Sequence, residues 1–435
     1  MPTIMPAPKF RISRARAGAA AALVAAAGSG VARADDWQGY QHDPQHTGRA
    51  GLGPVPTSLA PSWNAPANYV SPLIVGNAVL GITRLSPTQV TSFDLADGAV
   101  NWTSAAYSGT SREAYAAGTV VFAGSPQGVN ASNLYVLDAA TGAARYAVPT
   151  PYAGNAVTLA TDTTTTSQVA YVSCGSNLLA YRLGPTSGTL LWNAPVGTSG
   201  SIPAVMGNYA IVDSPQRYYA VNRTTGAVNQ FYSGGGNGGG NASPVVDLAR
   251  DRFFVTDTYG SSTALTAYGL NPATGAVTQL WQKTGSGVGT GGNVALAADG
   301  SVYSTGNDVL AQFDGATGNL LRSVTGPFAT ASAPLLSQGY LWAFGDGGGE
   351  TNGANTLVYS LADLSLAATF PGTRGDLNTA YRGIGALDDG HLVIDLGGNY
   401  GGEGFRVYAG TPVPEPAGAA VGAVAAAGLL TRRRR

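Results

Sequence analysis

The sequence has few charged residues. Only 11% of its 435 residues are charged, and these include four glutamates and two lysines, whereas a typical globular domain is about a quarter charged. Amphipathic surface helices need such residues on their solvent face, so the shortage excludes long helices as the main element. Glycine (62 residues) and tyrosine (21) are plentiful instead. This composition predicts many short strands joined by tight turns.

Cysteine is nearly absent, because Cys174 is the only one. An intramolecular disulfide is therefore excluded. No thiol-enzyme signature surrounds Cys174, so we predict a small buried hydrophobic residue rather than a reactive thiol.

Basic residues are in the minority between residues 35 and 410. This part of the chain has 14 basic and 23 acidic residues, a net charge of −9. Proteins that bind phosphate backbones need the opposite sign, so we do not expect a nucleic-acid partner.

The first 34 residues have the three parts of a secretory signal peptide. A basic stretch (9–16) precedes an apolar run (17–31), and Ala32 and Ala34 place small residues at the −3 and −1 positions of a cleavage site. We predict that cleavage after Ala34 removes 1–34. A permanent N-terminal anchor is the alternative.

The middle of the chain is one unit repeated. A strand followed by a turn that ends in glycine recurs at 92–98, 136–142, 181–188, 221–226, 270–275 and 313–318. The glycines are 44 residues apart on average, and 359–364 is a seventh copy without the glycine. In most copies an Asp or Asn side chain can accept N–H groups within the turn, and the glycine supplies a positive φ. Four short strands in 44 residues predict one blade of a β-propeller.

The number of blades follows from the length of the repeated region. Residues 59 to 410 number 352, which is eight times 44. The last unit lacks the turn motif, so we predict that 59–64, with Trp63, supplies its outer strand beside the strand of Tyr408. We therefore predict an all-β, eight-bladed β-propeller over 35–410, closed by the first strand. Seven blades, with one copy forming an irregular loop, is the alternative.

The repeat resembles the quinoprotein-type (PQQ-like) propeller repeat, through Asp-x-x-Thr-Gly and an aromatic residue about four positions later. The segment 36–48 is similar to the lead-in of such propellers. In enzymes of this kind the resemblance implies pyrroloquinoline quinone and Ca²⁺ at the central channel, often with adjacent cysteines. No adjacent cysteines exist here, Lys283 is the only lysine of 35–410, and no ligand set can be matched. We therefore expect no bound quinone, and a PQQ/Ca²⁺-dependent dehydrogenase is an alternative.

The C-terminus has three parts in a fixed order. Pro414-Glu415-Pro416 precedes an apolar stretch (417–431) and four terminal arginines. This order resembles the PEP-CTERM sorting signal of Gram-negative bacteria. The resemblance implies that an exosortase-type membrane protease recognises Pro414, Glu415 and Pro416 and removes the apolar helix, which would anchor the protein transiently in the inner membrane. A plain tail anchor is the alternative.

Several residues are of types that bind metals or act in catalysis. His42 and His46 could hold a metal if they shared a helix face, but Pro44 lies between them, which favours a surface or blade-packing role. We expect His391 to be a solvated strand end. Glu350 and Glu403 lie in Gly-rich loops and could act as acid and base on a glycoside if about 5–10 Å apart. Weak Ca²⁺ binding could use oxygen ligands from Asp346, Glu350, Asn352 and Asn355.

These observations predict an exported, non-enzymatic propeller that acts as a binding or scaffold module of the cell envelope or exopolysaccharide matrix. We assign no catalytic, cofactor or metal residue, and only Ala34, Pro414, Glu415 and Pro416 as processing residues. The expected partners are the sorting protease and a polysaccharide or envelope protein. A polysaccharide-cleaving enzyme is a further alternative.

Overall fold

The computed structural model describes most of the region between residues 36 and 410. The described residues are 36, 38–50, 58–83, 87–127, 132–152, 154–197, 202–214, 217–231, 243–259, 262–285, 287–288, 294–306, 308–328, 333–344, 355–370, 385–388, 390–395 and 404–410. Within these ranges, no helix is long and apolar enough to cross a membrane. Residues 1–34 and 411–435, where the signal peptide and the sorting signal are predicted, lie outside them.

The described chain forms eight sheets, which we number as blades 1 to 8. Two strands precede the blades: β1 (Arg49–Ala50) and β2 (Leu59–Asn64). Blade 1 contains β3 (Tyr69–Val75), β4 (Ala78–Thr83), β5 (Val90–Asp94) and β6 (Val100–Thr103). Blade 2 contains β7 (Tyr107–Thr110), β8 (Ala114–Ala116), β9 (Thr119–Pro126), β10 (Ser132–Asp138) and β11 (Ala144–Thr150).

Blades 3 to 5 each have four antiparallel strands. Blade 3 contains β12 (Gly154–Thr161), β13 (Gln168–Cys174), β14 (Asn177–Leu183) and β15 (Gly188–Pro195). Blade 4 contains β16 (Ala204–Met206), β17 (Tyr209–Ser214), β18 (Arg217–Asn222) and β19 (Val228–Phe231). Blade 5 contains β20 (Val245–Asp247), β21 (Arg252–Tyr259), β22 (Ser262–Leu270) and β23 (Val277–Thr284), with a 3₁₀ turn at Leu248–Arg250.

Blades 6 to 8 complete the ring. Blade 6 contains β24 (Ala295–Leu296), β25 (Val302–Gly306), β26 (Val309–Phe313) and β27 (Leu320–Thr325). Blade 7 contains β28 (Leu335–Ser337), β29 (Tyr340–Phe344), β30 (Thr356–Ser360) and β31 (Leu366–Phe370). Blade 8 contains β32 (Gly385–Asp388), β33 (His391–Asp395) and β34 (Phe405–Gly410), with β2 as its fourth strand.

The closure predicted from the sequence is confirmed. Strand β2 pairs antiparallel with β34, with Pro61 opposite Tyr408 and Trp63 opposite Val407. The count of eight blades is therefore right, and the alternative of seven is wrong. Pairing a strand from the N-terminal part with the last sheet gives blade 8 its fourth strand and ties the ring together.

The hydrophobic core lies between neighbouring blades. One cluster joins blades 2 and 3 through Val136 and Val172, and others repeat this arrangement between blades 3 and 4, 4 and 5, 5 and 6, and 6 and 7. The largest cluster joins blades 7, 8, 1 and 2. Each blade therefore has two apolar faces, which explains why inner strands such as β17 are buried at every position.

The repeated glycine and tryptophan belong to adjacent blades. The Trp102 indole N–H in blade 1 donates to the Ala139 carbonyl in blade 2 at 3.0 Å, and the ring covers Gly142. The same bond links Trp63 to Leu95, Trp192 to Arg223 and Trp281 to Gly315. A Cβ on Gly318 would lie 2.6 Å from the Trp281 ring. Glycine is therefore required both for its positive φ and because an aromatic ring occupies the space of a side chain.

The junction between blades 6 and 7 lacks this aromatic contact. Arg322 stands four residues after Gly318, and its guanidinium donates to the Leu361 and Ala362 carbonyls of blade 7. In blade 7, Leu364 takes the place of the turn glycine and adopts the left-handed φ of 58°. The seventh copy therefore keeps the turn although it lacks the glycine.

Candidate functional site

The first strands of the blades surround a common axis. The first strands of neighbouring blades lie against one another. Examples are β16 and β20, β20 and β24, and β24 and β28. We call the space they enclose the axial channel. Each first strand carries backbone groups on the edge that faces this space, and buried N–H groups need acceptors.

The acceptors come from the chain itself. We call residues 36 and 38–50 the lead-in segment. This segment is hydrogen-bonded to the first strands of several blades. The N–H groups of Tyr115, Val205, Val246, Leu296 and Leu336 donate to the carbonyls of Gln38, Pro44, Gln45, Thr47 and Gly48, respectively, at 2.8–2.9 Å. These donors belong to blades 2, 4, 5, 6 and 7.

The ends of the lead-in segment extend this path. The Asp36 carboxylate accepts the Gly76 N–H of blade 1 at 2.9 Å. At the other end, β1 pairs in parallel with β28 of blade 7, and β2 then lies at the outside of blade 8. The segment therefore contacts the blades in their order around the ring.

Side chains of the lead-in segment reach the same strands. Gln41 Nε2 donates to the Val294 carbonyl at 3.1 Å, and Gln45 Nε2 donates to the Val205 carbonyl at 3.1 Å. Gln41 is completely buried. Backbone and side chains thus both bind the inner edges of the blades.

A turn centred on Asp43 gives the segment its shape. The Asp43 carboxylate accepts the N–H groups of Gln45 and Thr47 at 3.1 and 3.0 Å, and the Thr47 hydroxyl at 2.5 Å. Pro44 follows with a restricted φ, which favours a turn. Burial alone would raise the pKa of Asp43, but contacts with His42 and Thr47 outweigh it and lower the pKa. The carboxylate is therefore held in its charged form.

His46 is the most buried titratable group of the segment, with 1% of its surface exposed. Its Nδ1 lies 3.0 Å from the Pro244 carbonyl, so a neutral ring with the proton on Nδ1 donates there. Burial lowers the pKa of His46 to about 4, although the charge of Asp43 and the bond to Pro244 act in the opposite direction. The Tyr40 ring meets His46 edge-on at 5.4 Å.

The predicted candidates His42 and His46 belong to a loop. Left-handed φ values at Gln41, His42 and His46 place the two histidines outside any helix. His42 Nδ1 lies 3.9 Å from Asp43 Oδ2, while His46 is directed at Pro244. The blade-packing role is confirmed for His46, which contacts the Pro244 carbonyl of blade 5, and the surface role is wrong because both histidines are buried.

Sequence reasoning missed part of the channel lining. Arg112 lies over the Tyr40 ring at 5.0 Å, and the adjacent Glu113 is buried. Glu113 stands where Pro203 and Pro244 precede the first strands of blades 4 and 5. Blade 6 has Val294 at this position and blade 7 has Pro334, so a charged residue at a position that is apolar in blades 4 to 7 was the available signal.

The residues at the axis do not fit a quinone with Ca²⁺. The inner edges of five blades are already hydrogen-bonded to the lead-in segment. Across the part of the chain that the structure describes, no three His, Cys, Asp or Glu side chains are grouped to hold a metal ion. We therefore derive no redox step at this site.

The other described candidates are not part of the lead-in segment. Cys174 is buried, as predicted, and its Sγ donates to the Tyr152 carbonyl at 2.7 Å, while burial raises its pKa. His391 begins β33, where it is partly exposed. Asn355 immediately precedes β30. The remaining candidates, Asp346, Glu350, Asn352 and Glu403, lie outside the described residues, as do Ala34, Pro414, Glu415 and Pro416.

The outer edges of the blades differ from the inner ones. Two residues after the turn glycine, or after Leu364 in blade 7, an apolar side chain is exposed in five blades: Val100, Leu190, Val228, Leu320 and Leu366. Leu320 is 56% exposed, and Leu321 beside it is 49% exposed. The strands β6, β15, β19, β23, β27 and β31 contain no acidic residue.

Comparison with known proteins gives a family model and a fold. Residues 57–232 match the family model described as outer membrane protein assembly factor BamB. The match covers less than half of the chain. This match supports a PQQ-like propeller repeat. No curated protein sequence matches the chain.

Solved structures share the architecture at low sequence identity. A europium-containing methanol dehydrogenase is 12% identical, with a TM-score of 0.58 over 85% of this chain and 90% of that one. BamB from Moraxella catarrhalis is 15% identical, with a TM-score of 0.51 over 83% and 99%. The computationally designed Ika8 protein is 12% identical, with a TM-score of 0.59 over 81% and 99%. An enzyme, an assembly factor and a designed protein share this fold, so the fold alone does not decide the function.

Proposed function

We propose that this protein is an exported, non-enzymatic propeller that acts as a binding or scaffold module of the cell envelope or exopolysaccharide matrix. One observation carries the proposal: the lead-in segment lies in the axial channel, where the quinoprotein resemblance expects the cofactor. A channel whose inner edges are bonded to the chain itself leaves the outer edges and the loops as binding surfaces.

Further features support a binding role. The exposed apolar residues of the outer strands, Leu320 and Leu321 among them, are contacts of the kind that partners cover. The described region has the BamB-type repeat over 57–232, and the name of that family is that of an assembly factor. Its partner is then an envelope protein or an extracellular polysaccharide.

Export and sorting form the second part of the proposal. The signal peptide ends at Ala34, and an exosortase-type protease acts at Pro414, Glu415 and Pro416 after the apolar tail has anchored the chain in the inner membrane. The extended backbone that the two prolines impose suits recognition by a protease.

The absence of quinone chemistry is tested by titration. Pyrroloquinoline quinone and Ca²⁺ are added to the purified protein, and the absorption spectrum and dye-linked alcohol oxidation are followed. We expect neither a saturable spectral change nor turnover. Saturable binding with alcohol oxidation would replace the proposal with a dehydrogenase. Release of reducing sugar from matrix polysaccharide would instead identify a polysaccharide-cleaving enzyme.

The sorting step is tested by replacing Pro414, Glu415 and Pro416 with alanine. We expect the variant to remain unprocessed in the inner membrane, while Pro412→Ala, just outside the motif, is processed normally. An unprocessed variant that still reaches the medium would refute sorting by this motif.

A further inference from the structure

Non-covalent contacts hold the lead-in segment within the channel. Five strand N–H groups bind its carbonyls, and Gln41, Gln45 and His46 bind strand carbonyls in return. Residues 51–57 connect the segment covalently to β2. The contacts are therefore those of a receptor with a bound peptide, made within one chain.

We propose that the axial channel is a peptide-recognition site. Its resident ligand is the segment 36–50, and it accepts the same segment from a second copy of this chain when its own is withdrawn. The first strands recognise peptide backbone, because each of five blades donates one N–H group to a carbonyl of the segment. This recognition is separate from the scaffold role proposed above, because the scaffold role uses the outer surfaces.

The contacts also define which peptides fit. The Asp43 turn presents successive carbonyls, those of Pro44, Gln45, Thr47 and Gly48, to four consecutive blades. Gly48 has a φ of 65°, and a Cβ there would lie 3.2 Å from the Pro334 carbonyl. His46 is buried, and its Nδ1 lies 3.0 Å from the Pro244 carbonyl just before β20. The ligand class is therefore a peptide with an Asp-Pro turn, a histidine two residues after the proline, and glycine two residues after that.

The proposal is tested with the full chain carrying a protease cleavage sequence within 51–57. After cleavage, a fluorescein-labelled peptide of residues 36–50 is added and its anisotropy is measured. We expect saturable binding to the cleaved protein and much weaker binding to the uncleaved protein, because the resident segment competes at high effective concentration. The Asp43→Ala peptide loses the acceptor of two N–H groups and should bind about tenfold more weakly.

A peptide of the same composition in scrambled order is the matched control. If the cleaved protein stays folded and fails to bind the peptide, or binds the scrambled peptide equally well, the proposal is wrong. If cleavage unfolds the protein, the readout becomes recovery of the folded circular dichroism spectrum. Recovery with the 36–50 peptide alone supports the proposal, and no recovery, or equal recovery with the scrambled peptide, overturns it.

Discussion

The inner and outer edges of the blades are made of the same kind of strand, but they are covered differently. Along the inner edge, five blades donate N–H groups to one continuous segment of the same chain. Along the outer edge, β2 joins blade 8, while outer strands such as β15 and β27 expose leucine side chains. The comparison teaches that the chain itself satisfies the inner edge, whereas the outer edge keeps exposed apolar side chains.

The largest expected effect is a loss of stability in acid, caused by the buried groups of the lead-in segment. The pKa of His46 is about 4 in the folded protein, against 6.5 as its ordinary value, so the unfolded chain binds more protons between these values. Stability is therefore full above pH 6.5 and falls by about 3 kcal/mol as the pH drops to about 4. The pKa of Asp43 lies below its ordinary 3.8, so a further loss follows below that pH. Urea unfolding from pH 7.5 to 2.5 measures both.

The control for the acid effect is a pair of histidine variants. His46→Gln should flatten the decrease between pH 6.5 and 4, whereas His391→Gln, at the start of β33, should leave the decrease in place. If the free energy of unfolding of His46→Gln decreases with pH as it does in the unmodified protein, this histidine is not the group that titrates.

The contact between glycine and tryptophan should give the next largest effect. Gly142 and Gly118 lie in neighbouring turns of blade 2, with φ of 69° and 74°. A Cβ on Gly118 meets nothing within 4 Å, whereas one on Gly142 meets the Trp102 ring. Both alanine substitutions incur backbone strain, and Gly142→Ala should cost about 2 kcal/mol more because of the overlap. Equal losses in thermal unfolding would contradict the role of the ring.

The Asp43 turn should show a smaller effect. Asp43→Asn keeps one acceptor oxygen and removes the charge, so it should cost about 1 kcal/mol in urea unfolding. Asp97 also accepts an N–H group, that of Ala99, but in an exposed turn. Asp97→Asn should therefore change stability by no more than about 0.5 kcal/mol. A loss for Asp97→Asn as large as for Asp43→Asn would remove the distinction between buried and exposed turns.

The smallest effect is expected at the outer edge. Leu320→Ser should change the free energy of unfolding by about 0.5 kcal/mol or less, since the side chain is already in water. The same substitution at the fully buried Leu341 should cost about 3 kcal/mol or more. A large loss at Leu320 would mean that the outer edge is part of the core.

The sequence predicted the outer half of each blade better than the inner half. The turn glycine and the following aromatic residue lie a fixed distance apart, so Trp63, in the strand that closes the ring, could be placed before the structure was known. The position of the lead-in segment could not be predicted in this way. Its bonds join Pro44 to Val205 and Gly48 to Leu336, residues far apart in the chain, through backbone groups that leave no side-chain pattern. Gln41 and Arg112 were missed because their partners, the Val294 carbonyl and the Tyr40 ring, are also far from them in the chain.

Hydrogen exchange tests the central claim most directly, because it measures the inner-edge amides themselves. The N–H groups of Val205, Val246, Leu296 and Leu336 face the axis and bind the lead-in segment. We predict that all four exchange as slowly as amides paired within the sheets, and that they lose protection together in the Asp43→Ala variant. Fast exchange of these four amides in the unmodified protein, with normal protection elsewhere in β16, β20 and β28, would show that the segment does not occupy the channel.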